Sequence, residues 1–235
     1  MLRAEIDLEK PVPSTRSLFL SKIEFDVKSQ TVRGDLSDGY KLHQRIMSTV
    51  PDGIRREDVR LLYRVEPMNL SRTNSTGSIL VQSIASPEPA RLPEGYRLVG
   101  TKDLAAPYST HCKAGAGFRM RLIASPSKVI PDEMGFENKK CRFIVGVEDR
   151  IQWLIRKAGM SGFRILEEDG QPQVLVSPLR DVVGHKKEER ILYRPALFQA
   201  LIAVEDKKRF LEAIERGFGR GKAFGMGLAT LRRIS

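Results

Sequence analysis

Between residues 85 and 117 the chain carries Pro87, Pro89, Pro93 and Pro107, followed by Gly115 and Gly117. Proline fixes φ and removes a backbone donor, while glycine permits turns, so this stretch reads as a connection between domains that holds only short secondary elements. It splits the 235-residue sequence into two parts, each long enough for a core of its own. We place the boundary near residue 112, giving units 18–112 and 113–235. Met1 to Arg16 is a charged lead containing Pro11 and Pro13, and residues 1–17 are read as an extension outside the fold.

Each half mixes strand and helix periods. Leu18 to Val27 alternates apolar and polar residues, as a half-buried strand does. Ser37-Asp38-Gly39 supplies helix-capping chemistry, and Tyr40, Leu42, His43, Ile46, Met47 and Val50 recur at helical spacing until Pro51-Asp52-Gly53 ends the run. Strands follow at 59–65 and 78–84. In the second half strands are expected at 118–124, 163–166, 174–176, 193–204 and 227–234, with helices at 148–158 and 207–216. This order suits an α+β fold of two small domains with antiparallel sheets, each a split βαβ unit.

Forty Lys and Arg against 29 Asp and Glu give a formal net charge of +11, which points to a polyanionic partner. Residues 1–112 hold 16 basic and 14 acidic side chains, a net +2, so the other +9 belongs to the second half. Cys112 and Cys141 make no disulfide framework and no zinc-binding spacing, which suits a reducing cytoplasm. The first 20 residues lack a signal-peptide apolar run and no 18-residue apolar stretch follows, so neither export nor a membrane span is expected.

Three constellations could carry chemistry. Gly217, Gly219, Gly221, Gly225 and Gly227 follow the last helix and interleave with Arg220 and Lys222, so backbone amides and charge could meet a phosphate. A tight helix-to-strand connection needs the same glycines. Gly221-Lys222 is followed by Ala223, not Ser or Thr, and the loop follows a helix, which disfavours a nucleotide-binding P-loop. Arg216-Gly217-Phe218-Gly219 starts like an RNA-recognition signature but then departs from it.

In Tyr40-Lys41-Leu42-His43-Gln44-Arg45, Tyr40 and His43 share a helix face, and an imidazole can both take and give a proton near neutrality. A histidine on or near a helix surface without a ligand fits the same spacing. His111 sits in the connection and reads as structural. His185 lies in Gly184-His185-Lys186-Lys187-Glu188-Glu189-Arg190, which suits a basic hairpin tip touching phosphates or a solvated loop. Arg119 and Arg121 alternate onto one side of a strand, with Lys128 extending the basic run; such a row grips an RNA backbone or faces water.

Several ordered motifs together resemble the CasE (Cse-three) family, the CRISPR-associated endoribonuclease subunit of type I-E Cascade. They are Phe19-Leu20-Ser21-Lys22-Ile23, Tyr40-x-x-His43-Gln44, Val81-Gln82-Ser83, and Phe118-Arg119-x-Arg121 ending in Ala124-x-Pro126-x-Lys128. Trp153-Leu154-x-Arg156-Lys157-x-Gly159 and Gly217-x-Gly219-x-x-Lys222-Ala223-x-Gly225-x-Gly227-Leu228 complete the set. The resemblance implies tandem ferredoxin-like domains and recognition of a CRISPR repeat stem-loop. It also implies cleavage at the base of that stem to a 2′,3′-cyclic phosphate, without metal or other cofactor, and retention among the other Cascade subunits. Tyr40 and His43 match the family's active-site pair. The stretch 180–190, with His185, Lys186, Lys187 and Arg190, matches its RNA-groove hairpin, and Arg119, Arg121, Lys128, Gly219, Arg220, Gly221 and Lys222 are expected to hold RNA. A non-catalytic RNA-binding scaffold would share the basic surface without needing His43, and cleavage separates the two.

Overall fold

In the computed structural model the described residues are 17–55, 58–68, 74–132, 135–186 and 189–234. The expected extension at 1–17 lies outside them but for its last residue. The first unit runs β1 (Phe19–Asp26), α1 (Gln30–Leu36), α2 (Gly39–Met47), β2 (Leu62–Val65), β3 (Thr76–Ser83), β4 (Tyr96–Asp103) and α3 (Ala105–His111). Its sheet has the order β2-β3-β1-β4 with antiparallel neighbours. Alternation in β1 sends Ser21, Ile23 and Phe25 inward, where the two apolar residues meet Val32, Leu42, Ile46, Tyr63 and Ile79.

The second unit begins with β5 (Gly117–Ala124), a hairpin of β6 (Ser127–Asp132) and β7 (Gly135–Phe143), and α4 (Val147–Met160). It continues with β8 (Phe163–Ile165), β9 (Glu167–Glu168), β10 (Gln171–Pro172), β11 (Val174–Pro178), a hairpin of β12 (Val182–Lys186) and β13 (Glu189–Tyr193), and β14 (Ala196–Val204). It closes with α5 (Lys207–Arg216) and β15 (Ala229–Arg233). The main sheet runs β11-β14-β5-β15, and β8 pairs with the far end of β14. With β8 and β11 as one interrupted strand, this repeats the strand order of the first unit, so both are ferredoxin-like. The two hairpins are insertions into that plan.

Two local readings need correction, and one helix has no signal in the sequence. The stretch 85–117 is more than a connection: it contains β4, an edge strand of the first sheet, which escapes pattern reading because only its Tyr96 is buried. The helix α1 has Gly34 within it and β-branched Thr31 and Val32, so local propensity is weak; a Ser29 cap and the burial of Val32 in the core hold it. The single strand expected at 193–204 is two strands, β13 and β14, parted at Arg194-Pro195, where proline offers no amide to continue the ladder.

The helices α4 and α5 cover one face of the second sheet, burying Trp153, Leu154, Phe210 and Ile214 against Phe118, Met120, Leu122 and Phe198. The opposite face bears Arg119, Arg121 and Ile123 and turns toward the first unit. The side chain of Arg64 on β2, only 1% exposed, crosses this junction. Its Nη1 donates to the carbonyls of Arg121 (2.8 Å) and Leu228 (3.2 Å), and Nη2 donates to Thr230 Oγ1 at 2.9 Å. Its Nη2 also lies 2.6 Å from Glu66, whose other oxygen pairs with Arg121 at 3.0 Å. Gln82 Nε2 donates to the Ile214 carbonyl at 3.0 Å, and Arg60 pairs with Glu215 at 2.8 Å.

Burial lowers the Arg64 pKa, and the negative charge of Glu66 opposes that shift. Replacing Arg64 by Leu keeps much of the volume but removes a donor from the Arg121 and Leu228 carbonyls and takes from Glu66 its closest cation. We expect a loss of about 3 kcal/mol, read as a lower midpoint in urea unfolding. An unchanged midpoint would show that the junction contributes no net stability.

Candidate active site and nucleic-acid interface

The helix α2 begins where a carboxylate can cap it. Asp38 Oδ1 accepts from the amides of Tyr40 (2.8 Å) and Lys41 (3.3 Å), satisfying donors that a helix N-terminus leaves open. Its other oxygen is used across the junction: Oδ2 accepts the backbone amide of His185 at 3.1 Å and lies 2.9 Å from His185 Nδ1. One side chain therefore starts the helix and seats the β12–β13 hairpin on it. The packing leaves no space for larger residues, since a Cβ on Gly184 would lie 3.0 Å from the Tyr40 nitrogen and would overlap the Phe224 ring. A Cβ on Gly39 would come within 2.7 Å of the same ring.

Tyr40, in the first turn, packs against an apolar cluster of Ile123, Leu197, Phe224 and Met226 contributed by the second unit. His43, one turn later, is half-buried with Nδ1 shielded from water, and its ring lies stacked with that of Tyr63, centroids 6.2 Å apart. Tyr63 is itself fully buried; its hydroxyl donates to the Ala223 carbonyl at 3.0 Å, with the Gly39 carbonyl 3.3 Å away. Burial raises its pKa, so it remains a neutral wall beside the imidazole. Strand periodicity reads Tyr63 as ordinary core; only its partners show it touching both the first turn of α2 and the glycine-rich loop.

That loop follows α5 and includes a 3₁₀ turn at Lys222–Phe224. All five of its glycines have positive φ. At Gly227 the requirement is also spatial, because a Cβ would sit 2.8 Å from the Phe218 carbonyl oxygen. The loop is thus a tight connection, and on it Arg220 is exposed and Lys222 half-buried.

The other expected RNA contacts are dispersed. Arg119 is exposed on β5 opposite Arg232 of β15. Arg121 is half-buried and paired with Glu66, so it belongs to the junction more than to open surface. Lys128 is exposed on β6, and Arg190 is exposed on β13 directly across from His185. His185 is not at the hairpin tip but on β12; its side chain is 59% exposed while Nδ1 faces Asp38. The Lys186 backbone belongs to β12, and Lys187 lies outside the described residues. Among the described residues, no group of three or more His, Cys, Asp or Glu could hold a metal ion, and no helix is long and apolar enough to cross a membrane.

Burial opposes ionisation of Asp38, but hydrogen bonds from the His185 side chain and from the Tyr40, Lys41 and His185 amides outweigh it and hold the carboxyl below its usual range. The stability it contributes is therefore complete above the unfolded-state pKa and is lost as pH falls through the lower folded value. We expect Asp38→Asn, which still caps a helix, to cost about 1–2 kcal/mol at neutral pH through the weakened His185 contact. Its stability curve should converge on that of the wild type in acid; parallel curves from pH 7 to pH 2 would contradict this role for the carboxylate.

A family described as CRISPR associated protein matches residues 18–233 of this chain. The CRISPR-associated endoribonuclease Cse3 of Thermus thermophilus is 30% identical over 220 residues, spanning 91% of this chain and 99% of that protein. The structure of Thermus thermophilus Cse3 bound to an RNA representing a pre-cleavage complex matches with a TM-score of 0.77 at 28% identity, covering 92% of this chain and 99% of that one. Cas6e from Escherichia coli K-12 shares the fold, with a TM-score of 0.67 at 22% identity over 92% of this chain and 100% of the other.

Proposed function

Because the chain belongs to the CRISPR-associated protein family that includes the Cse3 endoribonuclease, we propose that it binds the stem-loop of a CRISPR repeat RNA and cuts the precursor at the base of that stem. The observation that carries this reading is the position of His43. It stands with Tyr40 on a helix whose first turn is clamped between the hairpin and the glycine-rich loop, where groups from both units converge.

The chemistry asks little else of the protein. The 2′-hydroxyl of the nucleotide before the cut is an internal nucleophile; its oxygen attacks phosphorus as its proton leaves, and the P–O5′ bond breaks as the 5′-oxygen gains a proton. A 2′,3′-cyclic phosphate and a free 5′-hydroxyl result, so no metal is required. His43 is the proton-transfer group, and Tyr40 positions the scissile phosphate or offsets its developing charge. Arg119, Lys128, Arg190 and the loop residues Gly219, Arg220, Gly221 and Lys222 meet phosphates, while His185, Lys186 and Lys187 bring the hairpin to the stem's groove. Arg121 acts behind them through Glu66. A-form RNA favours this mixture of shape and backbone contacts. We take residue 112 as the division between the units. The protein works in the cytoplasm, and its product stays bound among the other subunits of Cascade.

The test is cleavage of a labelled repeat stem-loop in EDTA. Wild type should cut, whereas His43→Ala should lose at least about 100-fold in rate while retaining affinity, the scale at which a general acid or base contributes. A substrate with a 2′-deoxy nucleotide before the cut should bind and stay intact. Tight binding by wild type with no cleavage would instead make the protein a scaffold.

A further inference from the structure

The glycine-rich loop has two sides. Phe224 packs toward α2, but the segment before it lines a cleft of about 490 Å³ on the helical side of the second unit, between the C-terminal ends of α4 and α5. Four cationic side chains line this cleft: Lys157 from α4, Arg216 from α5, and Arg220 and Lys222 from the loop. Its wall also includes Trp153, against which the backbone of Gly219 sits so closely that a Cβ would approach the indole to 3.2 Å. Among the described residues, no acidic side chain lines it. Arg216 has a loose partner, Glu212, at 3.6 Å, whereas Lys157, Arg220 and Lys222 have no carboxylate partner among the described residues.

Four like charges around one concavity repel each other, and a partly desolvated one is penalised further. Burial, together with Arg216 and Lys157, lowers the Lys222 pKa. An anion in the cleft relieves both costs. The cleft is concave and small, so it accepts a flexible strand with its phosphates but not the broad convex surface of a duplex; paired RNA is held through extended surface contacts.

We propose that this cleft is a second anion site, apart from the surroundings of Tyr40 and His43, which holds backbone phosphates of an unpaired RNA segment flanking the stem. Lys157 and Arg216 are its contributions beyond the loop. The site rests on the RNA-cleaving reading: it adds affinity for precursor RNA over an isolated hairpin and leaves recognition of the stem to the other side of the loop.

The test compares two RNAs, both with a 2′-deoxy nucleotide at the cut: a bare repeat hairpin, and the same hairpin with unpaired flanks on both sides. In the full chain, Lys157→Gln with Arg216→Gln should bind the bare hairpin as wild type does. The variant should bind the flanked RNA about tenfold more weakly in ~0.1 M salt, with the salt dependence of log K reduced by about one to two. Lys157→Arg should bind like wild type, which separates lost charge from lost packing. Unchanged affinity for flanked RNA, or equal weakening for both RNAs, would overturn the proposal. If wild type fails to bind the hairpin, the cleavage reading falls; the cleft then stands only if unstructured RNA binds wild type more tightly than the double variant.

Discussion

The guanidinium of Arg64 leaves the first sheet and ends among carbonyls of the second. Taking that charge out of water is unfavourable, and Glu66 alone does not make the site specific. Specificity comes from its planar set of donors, which match the Arg121 and Leu228 carbonyls and the Thr230 hydroxyl and so fix how β2 lies across β5 and β15. Because α2 packs on the same first sheet, this junction also decides where Tyr40 meets the second unit and so where the helix that bears His43 lies.

The same economy recurs at Asp38, where one carboxylate uses one oxygen to cap the helix and the other to hold the hairpin. The candidate site is consequently not the property of either ferredoxin-like unit. Its helix comes from the first, its hairpin is an insertion before β14 of the second, and the loop joins α5 to β15. Rigid regular elements carry the core, while inserted and connecting segments bring polar groups to it. Gly184 lets the hairpin reach the backbone of Tyr40, and Gly39 leaves room for the side chains of Phe224 and Val182, which larger residues would prevent.

Much of this architecture is legible in linear patterns. Alternation marks β1 and β5, helical spacing marks α4 and α5, and Ser37-Asp38-Gly39 marks the start of α2. The edge strand β4 and the short helix α1 are not, because an edge strand has little apolar surface to hide and α1 is held by a tertiary contact of Val32 and not by its own propensity. The hairpin is visible as a charged interruption, but the orientation of His185 toward Asp38, 147 residues earlier, has no local trace.

The sequence alone determined the class of fold, the basic second half, the glycine-rich loop, and the pairing of Tyr40 with His43, because each is written in periodicity, composition or short spacing. Only the tertiary structure decided that Tyr63 stands beside His43, that Arg121 serves Glu66, and that Lys157 and Arg216 share a cleft with Lys222. Those relations join residues far apart in the chain, and they arise from how two sheets pack and which buried charges find partners, which no local pattern encodes.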